Sequence, residues 1–191
     1  MDYVNCRGTR YYVFEGKTKS GKPKYYASRK NQSDCGVLVD SLPGDFEVYE
    51  DLASHVVIVR RRKATKIVPA EAELVQKLAN ELSQYSTTKV QIDGNFIVVH
   101  TPDRDPEAVA STMAAIFGVS MSGNDWTLGN TRYTAVLRFK LCDIENRKYS
   151  AQRFCFRGAI DDWVPISDNQ SLETLARKYL PLLGDDLFEV E

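Results

Sequence analysis

The chain has 191 residues and a formal net charge of −1, and its 43% hydrophobic and 27% charged residues are those of a globular protein rather than a disordered or low-complexity one. That length suits one medium domain or two small ones, enough to bury roughly 70% of the unfolded surface. No apolar run reaches the ~20 residues needed to cross a bilayer, and the stretch Met-Asp-Tyr-Val-Asn-Cys-Arg lacks the pattern of a secretory signal, so the expectation is a soluble, cytoplasmic protein with no membrane role.

Charge is unevenly spread. Residues 1–66 hold 13 Lys and Arg against 8 Asp and Glu, whereas residues 67–191 hold 12 against 18. This divides the chain into a basic, β-rich portion (1–66) and an acidic α+β portion (67–191), either as separate domains or as one continuous body.

Residues 9–15 (TRYYVFE) and 24–28 (KYYAS) are rich in aromatic strand formers and flank a Gly-, Lys- and Ser-rich segment with Pro23, the pattern of a β-hairpin. A polar stretch, 29–36, follows. A second hairpin is expected from 45–51 and 55–61, joined around Leu52, Ala53 and Ser54. After the run Arg60-Arg61-Arg62-Lys63 comes a helix opened by Pro69, where a missing N–H costs least. Its apolar stripe is Leu74, Val75, Leu78, Ala79, Leu82 and Tyr85, with Glu73 and Lys77 as a surface pair.

Asp93-Gly94 marks a tight turn between strands at 89–92 and 95–100. Asp105 and Pro106 start the next helix, Val109, Met113, Ile116 and Phe117 form its apolar side, and Gly118 ends it. A Gly-, Ser- and Asn-rich loop at 118–130 contains Trp126. Residues 131–142 and 148–157 form a long hairpin turning at Glu145-Asn146, in which Ala135, Leu137, Phe139 and Leu141 alternate with polar or outward positions. A strand at 163–166 and a final helix capped by Ser171 and stopped by Gly184 complete the list. The class is therefore α+β, built of antiparallel hairpins with about three helices. The order strand, helix, strand, strand, helix, strand between Val56 and Leu141 fits a ferredoxin-like β-α-β-β-α-β unit in the middle.

The stretch 16–23, GKTKSGKP, has the spacing of a phosphate-binding P-loop up to Lys22. Pro23 replaces the hydroxyl residue that would bind magnesium and removes an N–H donor, and strand formers follow where a helix is required. The stretch reads as a hairpin tip, and no cofactor is expected. Lys17, Lys19, Lys22 and Lys24 crowd that tip beside Tyr11, Tyr12, Phe14, Tyr25 and Tyr26. Cations attract phosphate and flat rings stack bases, so the mixture suits nucleic acid. The plainer reading is that lysines blunt an exposed edge while the rings enter a core. Arg60, Arg61, Arg62 and Lys63 form the second basic cluster, which matters if it shares a face with the first.

For chemistry the sequence offers less. His100 is the better placed of two histidines, and Asp161-Asp162 is a carboxylate pair near Gly158. Neither G-x-S-x-G nor H-E-x-x-H occurs. Cys6, Cys35, Cys142 and Cys155 are scattered, form no C-x-x-C pair and have no histidine near them in sequence, which argues against zinc. The expected function is a non-enzymatic binding or interaction protein, with nucleic acid as the specific partner and a protein as the broader one. The alternative is an enzyme with its site near His100 or the Asp161/Asp162 turn.

Overall fold

The computed structural model describes residues 1–117, 131–156 and 161–185. Among these are eleven strands in antiparallel sheets and three α-helices, an α+β protein. None of the described helices is long and apolar enough to cross a membrane. The chain forms two compact units. The first holds Met1–Arg62 with Thr131 and Arg132, and the second holds the remaining described residues.

In the first unit, β1 (Asp2–Val4), β2 (Arg10–Lys17), β3 (Pro23–Ser28) and β4 (Gly36–Leu38) make one sheet. Strand β3 takes one edge of β2, with Tyr12 opposite Ser28 and Lys17 opposite Pro23. The other edge is shared: β1 pairs with Arg10–Tyr12 and β4 with Phe14–Gly16. Val13, between the two, gives its N–H to Met1 and accepts from Val39. At Gly36 a Cβ would lie 2.5 Å from the Tyr26 hydroxyl and 2.9 Å from the Glu15 carbonyl, so only glycine lets β4 approach this closely. Val13 and Phe14 are buried, and Phe14 stacks on Tyr26 at 5.6 Å. Strands β5 (Phe46–Glu50) and β6 (Val57–Arg61) form the second expected hairpin, with Phe46 opposite Arg61.

The second unit is a five-stranded meander. Strands β7 (Lys89–Asp93), β8 (Phe96–Pro102), β9 (Tyr133–Asp143), β10 (Lys148–Cys155) and β11 (Asp162–Ser171) each pair antiparallel with their sequence neighbours. Helices α1 (Pro69–Leu82) and α3 (Leu172–Tyr179) cover one face, and α2 (Pro106–Phe117) follows β8. The core holds Val75, Leu78 and Ala79 from α1, Leu175 and Ala176 from α3, and Ile97, Val99, Leu137, Phe139, Tyr149 and Ala151 from the sheet. A 3₁₀ turn, Leu180–Leu182, adds Leu180, and Gly184 follows it at φ +87°.

The ferredoxin-like order is not the one that forms. That topology would insert the first strand between the third and the last, whereas β8 pairs directly with β9 and β6 pairs with β5. The β7–β8 hairpin at 94–95 belongs to either order, and the direct β8–β9 pairing across the α2 connection is what makes the sheet a meander. Two smaller expectations also shift. Lys77 pairs with Glu81 at 3.9 Å rather than with Glu73. In α2, Val109 is half-buried but Ile116 is 67% exposed, so the expected apolar side is not a core face at that position. The side chains of Met113 and Phe117, the end at Gly118, the loop 118–130 with Trp126 and the turn 157–160 lie outside the described residues.

Candidate functional site

The segment 16–23 does close a hairpin. Thr18 N–H donates to the Lys22 carbonyl at 2.8 Å, Gly21 N–H to the Thr18 carbonyl at 2.9 Å, and Gly21 adopts φ +80°. Pro23 opens strand β3, where a P-loop would open a helix. Lys17, Lys19, Lys22 and Lys24 are exposed, and among the described residues none of the four forms an ion pair. Strand alternation divides the two in the ladder: Lys17 lies on the Tyr25 side of the sheet and Lys24 on the Tyr26 side.

The second cluster is less free. Arg60 donates to Glu47 Oε1 at 2.9 Å and lies 3.5 Å over the Tyr49 ring, while Arg62 sits 4.0 Å from the same carboxylate. Lys63 belongs to the second unit and pairs with Asp93 at 2.6 Å. Arg61 remains exposed, its guanidinium 5.7 Å from the Phe46 ring. Phe46 in turn meets Tyr25 at 4.9 Å, so β3 and β5–β6 are joined by two half-exposed rings. Tyr25 donates to Glu15 at 3.3 Å, and desolvation, with that carboxylate adding to it, keeps the phenol protonated by raising its pKa. Beside Lys17 an open groove of about 650 Å³ is lined by Glu15, Asp34 and Cys35 as well, a mixture that does not favour an anion.

The chemical candidates remain apart. His100 sits within β8, opposite Lys89 and Ala135, and joins no described group of three metal-ligating side chains. Asp161 and Asp162 are exposed, and Asp162 Oδ1 accepts from the N–H of Trp163 at 2.7 Å, a contact between neighbours at the start of β11.

The fold instead assembles a cluster that no short motif marks: Cys6, Glu50 and His55, in the first unit. Cys6 lies in the turn after β1, where Asn5 Oδ1 accepts from Arg7 and Thr9 N–H groups. Glu50 ends β5, and His55 sits in the β5–β6 turn at φ +58°. Cys6 Sγ is 2.9 Å from His55 Nδ1, which is 3.4 Å from Glu50 Oε1. The backbone N–H of Cys6 donates to Glu50 at 3.1 Å, and Tyr3 O–H donates to Glu50 Oε2 at 3.0 Å. Burial, reinforced by the Glu50 charge and hydrogen bond, pushes the Tyr3 pKa well above its ordinary value, so this hydroxyl stays a donor. His55 Nε2 is 2.8 Å from the Thr131 carbonyl oxygen. Glu50 and His55 are buried, and Cys6 is partly exposed.

Weighing cysteines and histidines by closeness in sequence misses this cluster, because 49 positions separate Cys6 from His55 and only the β1–β2 and β5–β6 turns bring them together. The expected strand 55–61 also hides it: β6 begins only at Val57, and His55 lies in the turn before it at positive φ, where its side chain is aimed at a neighbouring element. Comparison with known protein families, with characterised proteins and with solved structures yields no match to this chain.

Proposed function

We propose that the protein is a non-enzymatic binding protein whose first unit takes single-stranded or structured nucleic acid, weakly and without sequence preference. The surface would be the lysine-rich β2–β3 tip with the adjoining Arg61 side of β6. The Tyr25–Phe46 contact supports this reading, because it links the two basic clusters through a pair of half-exposed rings. Cations displace condensed counterions from a phosphate backbone, and ring faces accept bases of any identity. Arg60 and Lys63 contribute little to it, since carboxylates already neutralise them.

The test is an anisotropy titration of labelled DNA and RNA oligonucleotides at low and moderate salt. Replacing Lys17, Lys19, Lys22 and Lys24 by Ala lowers affinity and flattens the dependence of log K on log salt, while thermal stability barely changes. Absence of binding by both nucleic acids at tens of micromolar protein overturns the reading and leaves a protein partner as the broader class.

A further inference from the structure

We propose that Cys6, Glu50 and His55 form a binding site for a divalent transition-metal ion of the zinc class, a property separate from the nucleic-acid reading. Their donor atoms all lie within 4.8 Å of one another. The Thr131 carbonyl can only accept, so His55 Nε2 carries a proton and donates to it. In the neutral ring Nδ1 is then a lone pair, and it faces both a sulfur and a carboxylate oxygen. One proton serves only one of these contacts at a time. A cation at their centre serves all three donor atoms at once.

The surroundings fit such a role. Ligating imidazoles commonly donate their other N–H to a carbonyl, and ligating carboxylates are themselves hydrogen-bonded. Here Thr131 holds the ring, while Tyr3 and the Cys6 amide hold Glu50. The donor set of one thiolate, one imidazole and one carboxylate selects zinc, or cobalt in its place, over magnesium and calcium. Bonds of about 2.0–2.3 Å place tetrahedral ligands about 3.3–3.8 Å apart, so Sγ and Nδ1 separate by roughly half an ångström on binding. Three protein ligands leave one position for water, and Cys6 is partly exposed.

Cobalt(II) titration of the full-length, chelator-treated protein tests the site directly. One equivalent of cobalt gives a sulfur-to-cobalt charge-transfer band and the intense visible bands of four-coordinate cobalt, and zinc abolishes both. Cys35 and Cys142 are exposed and offer adventitious thiols, so a Cys35→Ser/Cys142→Ser variant must keep the bands. Cys6→Ser loses the charge-transfer band, and His55→Asn and Glu50→Gln weaken binding by more than the ~10–100-fold expected for losing an outer hydrogen-bond partner. If a single variant fails to fold, zinc protection of Cys6 from alkylation in the otherwise native chain, read by peptide mass, serves in its place. Lack of a thiolate band, its disappearance with Cys35 and Cys142, or unchanged Cys6 alkylation at saturating zinc overturns the proposal.

Discussion

Arg147 reaches across 76 positions of sequence to clamp Glu71 in the first turn of α1. Its Nε donates to Oε1 at 2.9 Å, and a second guanidinium nitrogen donates to Oε2. Glu71 also accepts the Val68 N–H at 3.0 Å, closing half of a capping box at the helix start. A turn residue of β9–β10, held at φ +50°, thus fixes where α1 begins. Burial works to raise the Glu71 pKa, but hydrogen bonds from Arg147, Tyr149 and Val68 outweigh it and leave the value below the ordinary one.

Glu71→Gln keeps the Val68 acceptor and removes the charge, and is expected to cost about 1–2 kcal/mol, since the pair is partly exposed to solvent. The folded pKa lies below the unfolded one, so this stabilisation is complete above the ordinary glutamate value of about 4.3 and is lost as pH falls through the lower folded value. Thermal melts of both proteins should therefore converge in acid and stand apart at neutral pH. Equal spacing at all pH values would dissociate the effect from the charge.

The two helices of the second unit's centre should respond differently to truncation. Leu78 on α1 is 2% exposed and sits in the core, so Leu78→Ala is expected to cost about 2–5 kcal/mol. Ile116 on α2 is 67% exposed, and Ile116→Ala should change stability by less than about 0.5 kcal/mol. Urea unfolding of both variants gives the comparison, and similar losses would contradict the packing described for α2.

Gly36→Ala should detach β4 from β2. Its Cβ would meet the Tyr26 hydroxyl at 2.5 Å and the Glu15 carbonyl at 2.9 Å, and overpacking of this kind costs about 1–3 kcal/mol. Tyr26→Phe removes the nearer atom, so the double variant should recover part of the loss. Strictly additive effects in a double-mutant cycle would show that the hydroxyl is not what the methyl group meets.

On the sheet face opposite the core, Arg138 lies between the Phe96 ring at 4.2 Å and the Trp163 ring at 4.3 Å, with Nε donating to Gln152 at 2.6 Å. A planar guanidinium fits that slot and an ammonium does not, so Arg138→Lys should cost about 1 kcal/mol. In a Trp126→Phe background Trp163 is the sole indole, and its emission should move to the red when the cover is lost. Unchanged emission and stability would mean that the stack contributes nothing.

Much of the fold is legible in local chemistry. Gly21 and Gly94, both at positive φ, sit where the sequence places turns, and Ser171 caps α3 by accepting the Thr174 N–H. Asp143 organises the β9–β10 turn by accepting from Glu145 and Asn146 N–H groups. What local pattern could not supply was pairing at a distance. β1 and β4 are three residues each, too short for a period, and exist because β2 offers them an edge. Element order is compatible with both a split crossover and a meander, and only the long-range choice of β8 as the neighbour of β9 distinguishes them. The lysine tip could be read because its residues are contiguous, whereas Cys6, Glu50 and His55 become neighbours only after two separate turns close.

The meander also has a kinetic meaning. Each strand of the five-stranded sheet finds its partner next along the chain, so the sheet can grow by successive small loop closures, with the α2 connection as its one wide span. The β1–β2–β4 arrangement lacks that advantage, because β4 must return to β2 after β3 has already taken the other edge. Low contact order speeds assembly, so refolding followed by pulse-labelled amide exchange should protect the β7–β8 and β9–β10 hairpins before the β2–β4 ladder and before the β8–β9 ladder that closes across α2.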